Sequence, residues 1–353
     1  MIHGVHDSRA ARLVVLRRGL TTAMVLLANA ALLLGSLSCT SRESGPKTHV
    51  TIGLQLSPAM TLVMVAKDEG FFEREGLDVE IKGFSAGKFA LQAFFGRALD
   101  FAVAGDVPIT LATLQGNKVT ILTQVVERTI NEVRVVARKD NAMPAANAHD
   151  YFTAKKRKLA TSFGGGPEFF TARFLERNKI PTAGVEIISQ RPEDMSAALV
   201  SGTVDAISIF DPFAFIAEKQ LGTSGMTFTD PKGYSELYLL VGAPDVVQTR
   251  RPVVDALLRA LIRAEDLIKK NPARAKQIAA TYTQLDAAVL DGVWQNFVFA
   301  PALTPQLLEF MSAEAAWARS KGVIPDTSSA PDFRRMIAEE PLRRLKAAAV
   351  RIP

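Results

Sequence analysis

The sequence contains a single cysteine, Cys39, and four histidines, His3, His6, His49 and His149. One cysteine forbids an intramolecular disulfide and leaves no Cys-x-x-Cys pair for a redox or zinc site. His-Glu-x-x-His and Walker-type phosphate loops are absent too, so the common zinc-hydrolase and nucleotide-hydrolysing chemistries have no residues to run on. Two of the four histidines lie in the first six residues and none sits in a turn expected to face a cleft. The expectation is a non-enzyme without metal or cofactor. Charge of one sign is also scarce: the formal net charge is +6. Removing Arg9, Arg12, Arg17, Arg18 and Asp7 leaves 38 basic and 35 acidic residues, a net +3 that gives no case for a nucleic-acid partner. The short basic runs, Lys155 to Lys158, Arg334-Arg335 and Arg343-Arg344, read as solvated surface. No apolar run reaches the ~20 residues of a comfortable membrane span.

The longest apolar stretch, Leu20 to Leu34, follows a basic segment Arg9 to Arg18 and ends in Gly35-Ser36-Leu37-Ser38 before Cys39. That is the order of an export signal, residues 1–38. The position of Cys39 resembles the acylated cysteine of bacterial lipoproteins, with Ser38 as the small residue before it; Ser36 departs from the aliphatic residue usual there. Lipidation at Cys39 is the expectation and cleavage by ordinary signal peptidase the alternative. Either places the chain in the periplasm or at the cell surface, the first through a lipid anchor in a membrane. Thr40 to Lys47, polar with Gly45-Pro46, reads as a tether over 39–48.

The body, 48% hydrophobic over the whole chain, is ample for a buried core. It alternates strand and helix signals. Val50 to Leu54 is a strand, followed by Ser57-Pro58 and a helix over Met60 to Lys67. Val79 to Ile81 is a second strand, and Ser85-Ala86-Gly87 is a small-residue turn opening the helix Lys88 to Phe95. There is an internal echo. A helix closed by Gly96 leads through Asp100 to the strand Phe101 to Ala104, then to Gly105 and Asp106-Val107-Pro108; a helix closed by Gly202 leads through Asp205 to the strand Ala206 to Phe210, then to Asp211-Pro212. The aspartates are six apart in both copies, which implies two lobes on one β–α plan with mainly parallel sheets. Val133 to Ala137 leads outward and Tyr234 to Val241 leads back, giving lobe 1 over 49–136, lobe 2 over 137–238 and a return over 239–353, with hinges near Val136 and Leu239. Beyond Val253 the chain is helical: Val254, Leu257, Leu258, Leu261 and Ile262 form an apolar stripe, Pro305 to Lys321 is a later helix, and a basic helix spans Arg334 to Ala349.

Ligands of open α/β sheets sit beyond the carboxyl ends of strands. The turns at Ser57, Ser85, Gly105, Thr161 and Asp211 are therefore the candidate binding positions. The richest is Leu159 to Glu168, where Gly164, Gly165 and Gly166 let backbone approach a ligand and Pro167 opens a helix whose free N–H groups attract polar acceptors. Asp106 and Asp211 serve as N-caps, or, if aimed into a cleft, favour an amine, amidine or pyrimidine N–H. Glu168 in a first helical turn answers the helix dipole or does the same. Arg191, before Pro192, pulls toward sulfonate or carboxylate unless it is solvated.

Ala66-Lys67-Asp68-Glu69-Gly70-Phe71-Phe72 with Glu75-Gly76-Leu77-Asp78-Val79 resembles the first-lobe signature of ABC-importer solute-binding proteins in the sulfonate, taurine, nitrate and thiamine-pyrimidine group. Met195 to Ala206 followed by Phe210-Asp211-Pro212-Phe213 is similar to the second-lobe segment of that group, with Phe210 where Trp often stands. Pro167-Glu168-Phe169 replaces the Ser or Thr and His common in sulfonate binders. The resemblance, over Val50 to Ile268, implies an α/β, type II-like two-lobe periplasmic-binding-protein fold with the ligand cleft between lobes. It also implies a monomer that captures a small polar solute and delivers it to ABC permease and ATPase subunits. A periplasmic sensor module is the alternative. A fungal pyrimidine-forming enzyme shares the resemblance but relies on a cysteine-rich motif that this chain lacks.

Overall fold

Val50, Ile52 and Leu54 are all fully buried in the first strand, with their neighbours Gly53 and Gln55 buried as well, the near-continuous burial of a parallel strand covered on both faces. The computed structural model describes residues 46–230, 232–324 and 331–353; the segment expected to be an export signal, Cys39 and most of the expected tether lie outside the described residues, and Lys47–Pro353 forms one compact unit. Along the chain run β1 (Thr48–Gln55), β2 (Leu77–Phe84), β3 (Phe101–Gly105), β4 (Thr120–Val126), β5 (Arg128–Thr129), β6 (Arg134–Arg138), β7 (Arg157–Thr161), β8 (Val185–Ser189), β9 (Ala206–Ile209), β10 (Gly225–Phe228), β11 (Tyr238–Gly242) and β12 (Phe297–Val298).

Two five-stranded sheets result, ordered β2-β1-β3-β11-β4 and β10-β6-β9-β7-β8. Reading the second from its far end, β8-β7-β9-β6-β10, shows the same plan twice. In the first sheet β1 is parallel to β2 and β3, while β11 runs antiparallel to β3 and β4; in the second β7 is parallel to β8 and β9, while β6 runs antiparallel to β9 and β10. The one antiparallel strand in each sheet is the strand that arrives from the other lobe, which is why the parallel expectation holds except there. The echoed aspartates act alike. Thr51 donates its backbone N–H to Asp100 at 2.8 Å and Lys158 donates its own to Asp205 at 2.8 Å, so each carboxylate ties down a neighbouring strand.

The expected hinges move. Val136 and Leu239 are fully buried in central strands, β6 and β11, with ladder partners on both sides. Residues held in two ladders cannot absorb a rotation, so the crossings are 127–133 and 229–237, and β5 pairs with β12 beside the first of them. The final basic helix is also broken: it becomes a turn at Phe333–Met336, a helix Glu339–Leu345 and a turn Ala347–Ala349. Pro341 fits only a first helical turn, and Ile337 stays extended to bridge Ile121 of β4. Strand β4 carries no label in the sequence reading although it closes the first sheet.

Two large cores back the two sheets, one including Val254, Leu257 and Leu261 of the helix Arg251–Lys270, the other including Phe170 and Phe174 of the helix Gly166–Arg177. A third, small cluster joins the lobes: Val107 and Leu111 from the helix Asp106–Leu114, Phe169 from Gly166–Arg177 and Ala318 from Gln306–Ser320. Phe169 also meets Trp317 edge-on, with centroids 5.3 Å apart.

Candidate functional site

The carboxyl ends of β1, β2 and β3 and those of β7, β8 and β9 carry the turns singled out above. Ser57 accepts a 2.9 Å hydrogen bond from Gln55 Nε2, whose Oε1 accepts the backbone N–H of Gly87 at 3.2 Å. Ser57 and Gln55 thereby hold the start of the helix Gly87–Phe95 against β1. Ser85 is exposed, Ala86 and Gly87 are buried, and Gly87 packs on the backbone of Ala104. In the other sheet Thr161 is fully buried and donates to Ser208 O at 3.0 Å. Gly164 has φ +75°, the left-handed conformation that only glycine enters freely. Its N–H donates to Glu168 Oε2 at 2.7 Å, so Glu168 reaches back over the loop. Burial raises the Glu168 pKa, opposed by that N–H and by Lys88.

Three candidates are otherwise engaged. Asp211 is fully buried and accepts Arg134 Nη1 at 2.9 Å and Asn296 Nδ2 at 2.7 Å. Arg134 in turn grips Glu218 with Nε and Nη2, at 2.7 and 2.8 Å. Phe210 is buried edge-on to Phe213. Arg191 lies in the open, 67% exposed, paired to Asp194 at 3.1 Å.

What the turns enclose is acidic. Asp106, Glu132, Glu236 and Glu314 are at most 4% exposed, and none forms an ion pair among the described residues. The Glu236 carboxylate lies between Gly105, at the end of β3, and Gly166, at the start of the opposing helix; a Cβ on either glycine would fall inside van der Waals distance of it. Glu132 accepts the Tyr238 hydroxyl at 2.7 Å and Glu314 accepts that of Thr110 at 2.7 Å. Asp106 accepts the N–H of Val107 at 3.0 Å and of Leu237 at 3.3 Å. Burial pushes the Asp106 pKa up to about 7 against those N–H groups. Glu132, Glu236 and Glu314 are raised further above the carboxylate range, by burial first and then by neighbouring carboxylates; Tyr238, the Gly166 N–H and Thr110 respectively oppose. Glu132 Oε2, Glu236 Oε2 and the Tyr234 hydroxyl are buried with no hydrogen-bond partner.

At the mouth, a groove of about 510 Å³ is lined by Lys88, Phe95, Leu111, Gln115, Phe163 and Gly164. Lys88 spans it, donating to Phe163 O at 2.7 Å and Ser162 Oγ at 3.3 Å, and its pKa is lowered by burial.

Sequence reasoning passes over Gln55, Lys88, Glu132, Arg134, Glu236 and Glu314. A signal existed for two of them: Glu132 and Glu236 each stand at the head of an apolar strand-like run, Val133 to Ala137 and Leu237 to Val241, where a charge is out of place. Gly83-Phe84-Ser85-Ala86-Gly87 also spells Gly-x-Ser-x-Gly on a strand-to-helix turn, which corrects the expectation that no such pattern occurs in the chain. Neither histidine of the described residues supplies a base for it: His49 bonds Asp78 and His149 bonds Asn178 O.

Comparison with known proteins places this geometry. A family model described as the NMT1-like family matches residues 43–283. A protein of Haemophilus influenzae named for thiamine biosynthesis is 22% identical over 81% of this chain and 91% of its own. A Bacillus subtilis protein named for binding aliphatic sulfonates is 23% identical over 70% and 74%. Among solved structures, the alkanesulfonate-binding protein SsuA of Xanthomonas axonopodis pv. citri, bound to MOPS, superposes with a TM-score of 0.69 at 19% identity, covering 83% of this chain and 99% of that one. The periplasmic nitrate-binding protein NrtA of Synechocystis gives 0.70 at 15%, covering 86% and 89%. The family match extends over most of the described chain, and the chain belongs to the NMT1-like family, with the two-lobe α/β fold of periplasmic binding proteins.

Proposed function

We propose that this protein is the extracytoplasmic solute-binding component of an ABC importer. It captures a small polar organic solute by closing two lobes about the crossings 127–133 and 229–237, and it performs no chemistry on it. The observation that carries the reading is the convergence of strand-end turns from two like-built sheets on one buried polar seam, with Gly105 of one lobe and Gly166 of the other against the same side chain. Ser57, Gly87 and Asp106 on one side and Thr161 with Gly164 to Glu168 on the other are the contacts expected for the solute. The names of relatives, sulfonate and nitrate binders and a thiamine biosynthesis protein, agree with a small polar solute.

Small-angle scattering tests the trap: a saturating solute should shrink the radius of gyration, and no change would show that the lobes do not close on it. Export and anchoring through acylated Cys39 complete the reading. Mass spectrometry of the membrane fraction should find the mature chain starting at a lipid-modified Cys39; an unmodified, soluble periplasmic form would leave export and remove the anchor.

A further inference from the structure

Resting on the solute-capture reading, we propose that the solute is a cation rich in N–H donors, of the amidinium, guanidinium or protonated-amine class, and that Glu236 and Glu132 are its carboxylate partners.

The first support is the charge of the seam. Acidic side chains are almost never fully buried unless paired. Asp106, Glu132, Glu236 and Glu314 are buried without an ion pair among the described residues, and the Arg134 guanidinium, whose charge reaches Glu132, is itself paired to Glu218 and Asp211. Lys88 is turned to the mouth, onto Phe163 O.

The second is independent of charge. More than about nine in ten buried polar groups find a partner in native proteins. Here Glu132 Oε2 and Glu236 Oε2, on side chains 0% and 4% exposed, have none, and the Tyr234 hydroxyl between the lobes has none. An amidinium or guanidinium would supply donors to both oxygens, and once the carboxyls give up their protons its planar N–H fork suits them.

The third is what occupies the place of an anion. The backbone N–H of Gly166, at the start of a twelve-residue helix, is the natural seat for a negatively charged group, and Glu236 already lies on it. A sulfonate or nitrate would have to displace that carboxylate and then sit beside Asp106, Glu132 and Glu314. A cation meets Glu236 where it stands. Its entry with release of a proton from the carboxyl cluster leaves the buried charge unchanged.

The test uses the full chain and two sets of probes, benzamidine, agmatine and methylguanidine against methanesulfonate and nitrate, followed by thermal shift and calorimetry. A cationic probe should bind wild type with release of protons, and Glu236→Gln should weaken it more than tenfold while near-ultraviolet circular dichroism shows the fold kept. Glu132→Gln provides the same readout should Glu236→Gln not fold. Binding of methanesulfonate or nitrate, unweakened by Glu236→Gln, overturns the charge assignment and leaves solute capture standing. Failure of every cationic probe to bind overturns the charge assignment, whereas solute capture stands or falls by the scattering test.

Discussion

Lys88 Nζ, on the first lobe, donates to the carbonyl oxygen of Phe163 on the second at 2.7 Å, a polar contact that joins the lobes across the mouth of the cleft. Under the proposed closure, such a contact is made when the lobes are together. Lys88→Met keeps the aliphatic stem and removes the donors, so the ligand-free protein should become larger by scattering, and solute affinity should fall roughly two- to tenfold, the worth of one net hydrogen bond. An unchanged radius of gyration would mean that the small core of Val107, Leu111 and Phe169 holds the lobes by itself.

Asp106 sets a pH dependence. It faces Glu314, Glu236, Tyr234 and the N–H groups of Val107 and Leu237, and its pKa is raised by burial to about 7. A carboxyl with a raised pKa in the folded state stabilises fully below its unfolded value of about 3.9, and the contribution is lost as pH rises through about 7. The melting temperature of the ligand-free protein should therefore fall between about pH 4 and pH 7, and Asp106→Asn should flatten that part of the profile. Identical profiles for the two proteins would show that Asp106 does not titrate in this range.

The glycines of the loop are predicted to separate folding from binding. A Cβ at Gly165 meets only Pro167 Cδ at 3.6 Å and Ser162 O at 3.9 Å, ordinary contacts, so Gly165→Val should leave the melting temperature nearly unchanged and weaken solute binding through the blocked backbone approach. Gly166→Ala instead drives a methyl into the Glu236 carboxylate and should cost about 1–3 kcal/mol. Gly164→Ala should cost a similar amount, because φ is +75° there. Equal denaturation midpoints for all three would contradict the placement of Glu236.

Arg134 and Arg191 should behave as opposites. Arg134→Met strands Asp211 and Glu218, and breaking one side of a buried ion pair costs about 3–5 kcal/mol. Arg191→Ala removes exposed pairs to Glu193 and Asp194 that water and salt already screen, and stability should not change measurably. Urea denaturation of the two variants decides the matter.

Much of the architecture was legible because it is local. Strand and helix periods, the glycine and proline stops, and the matched Asp100 and Asp205 are spacings within a few residues, and the same spacing made both aspartates tie down a strand. The loop Gly164 to Glu168 was legible for the same reason. The crossings were misplaced because an apolar run such as Val133 to Ala137 reads alike in either sheet; only the pairing of β6 with β9 and β10 assigns it to the second. The acidic seam was beyond local reading altogether. Asp106, Glu132, Glu236 and Glu314 come from two crossings, a strand end and a late helix, and whether a carboxylate is a solvated surface group or a buried, proton-holding one depends on what covers it. Sequence by itself set two β–α lobes with turns at the carboxyl ends of their strands. Tertiary packing decided that four carboxyls meet there without an ion pair among the described residues, because burial and mutual charge exist only once the chain has brought them together.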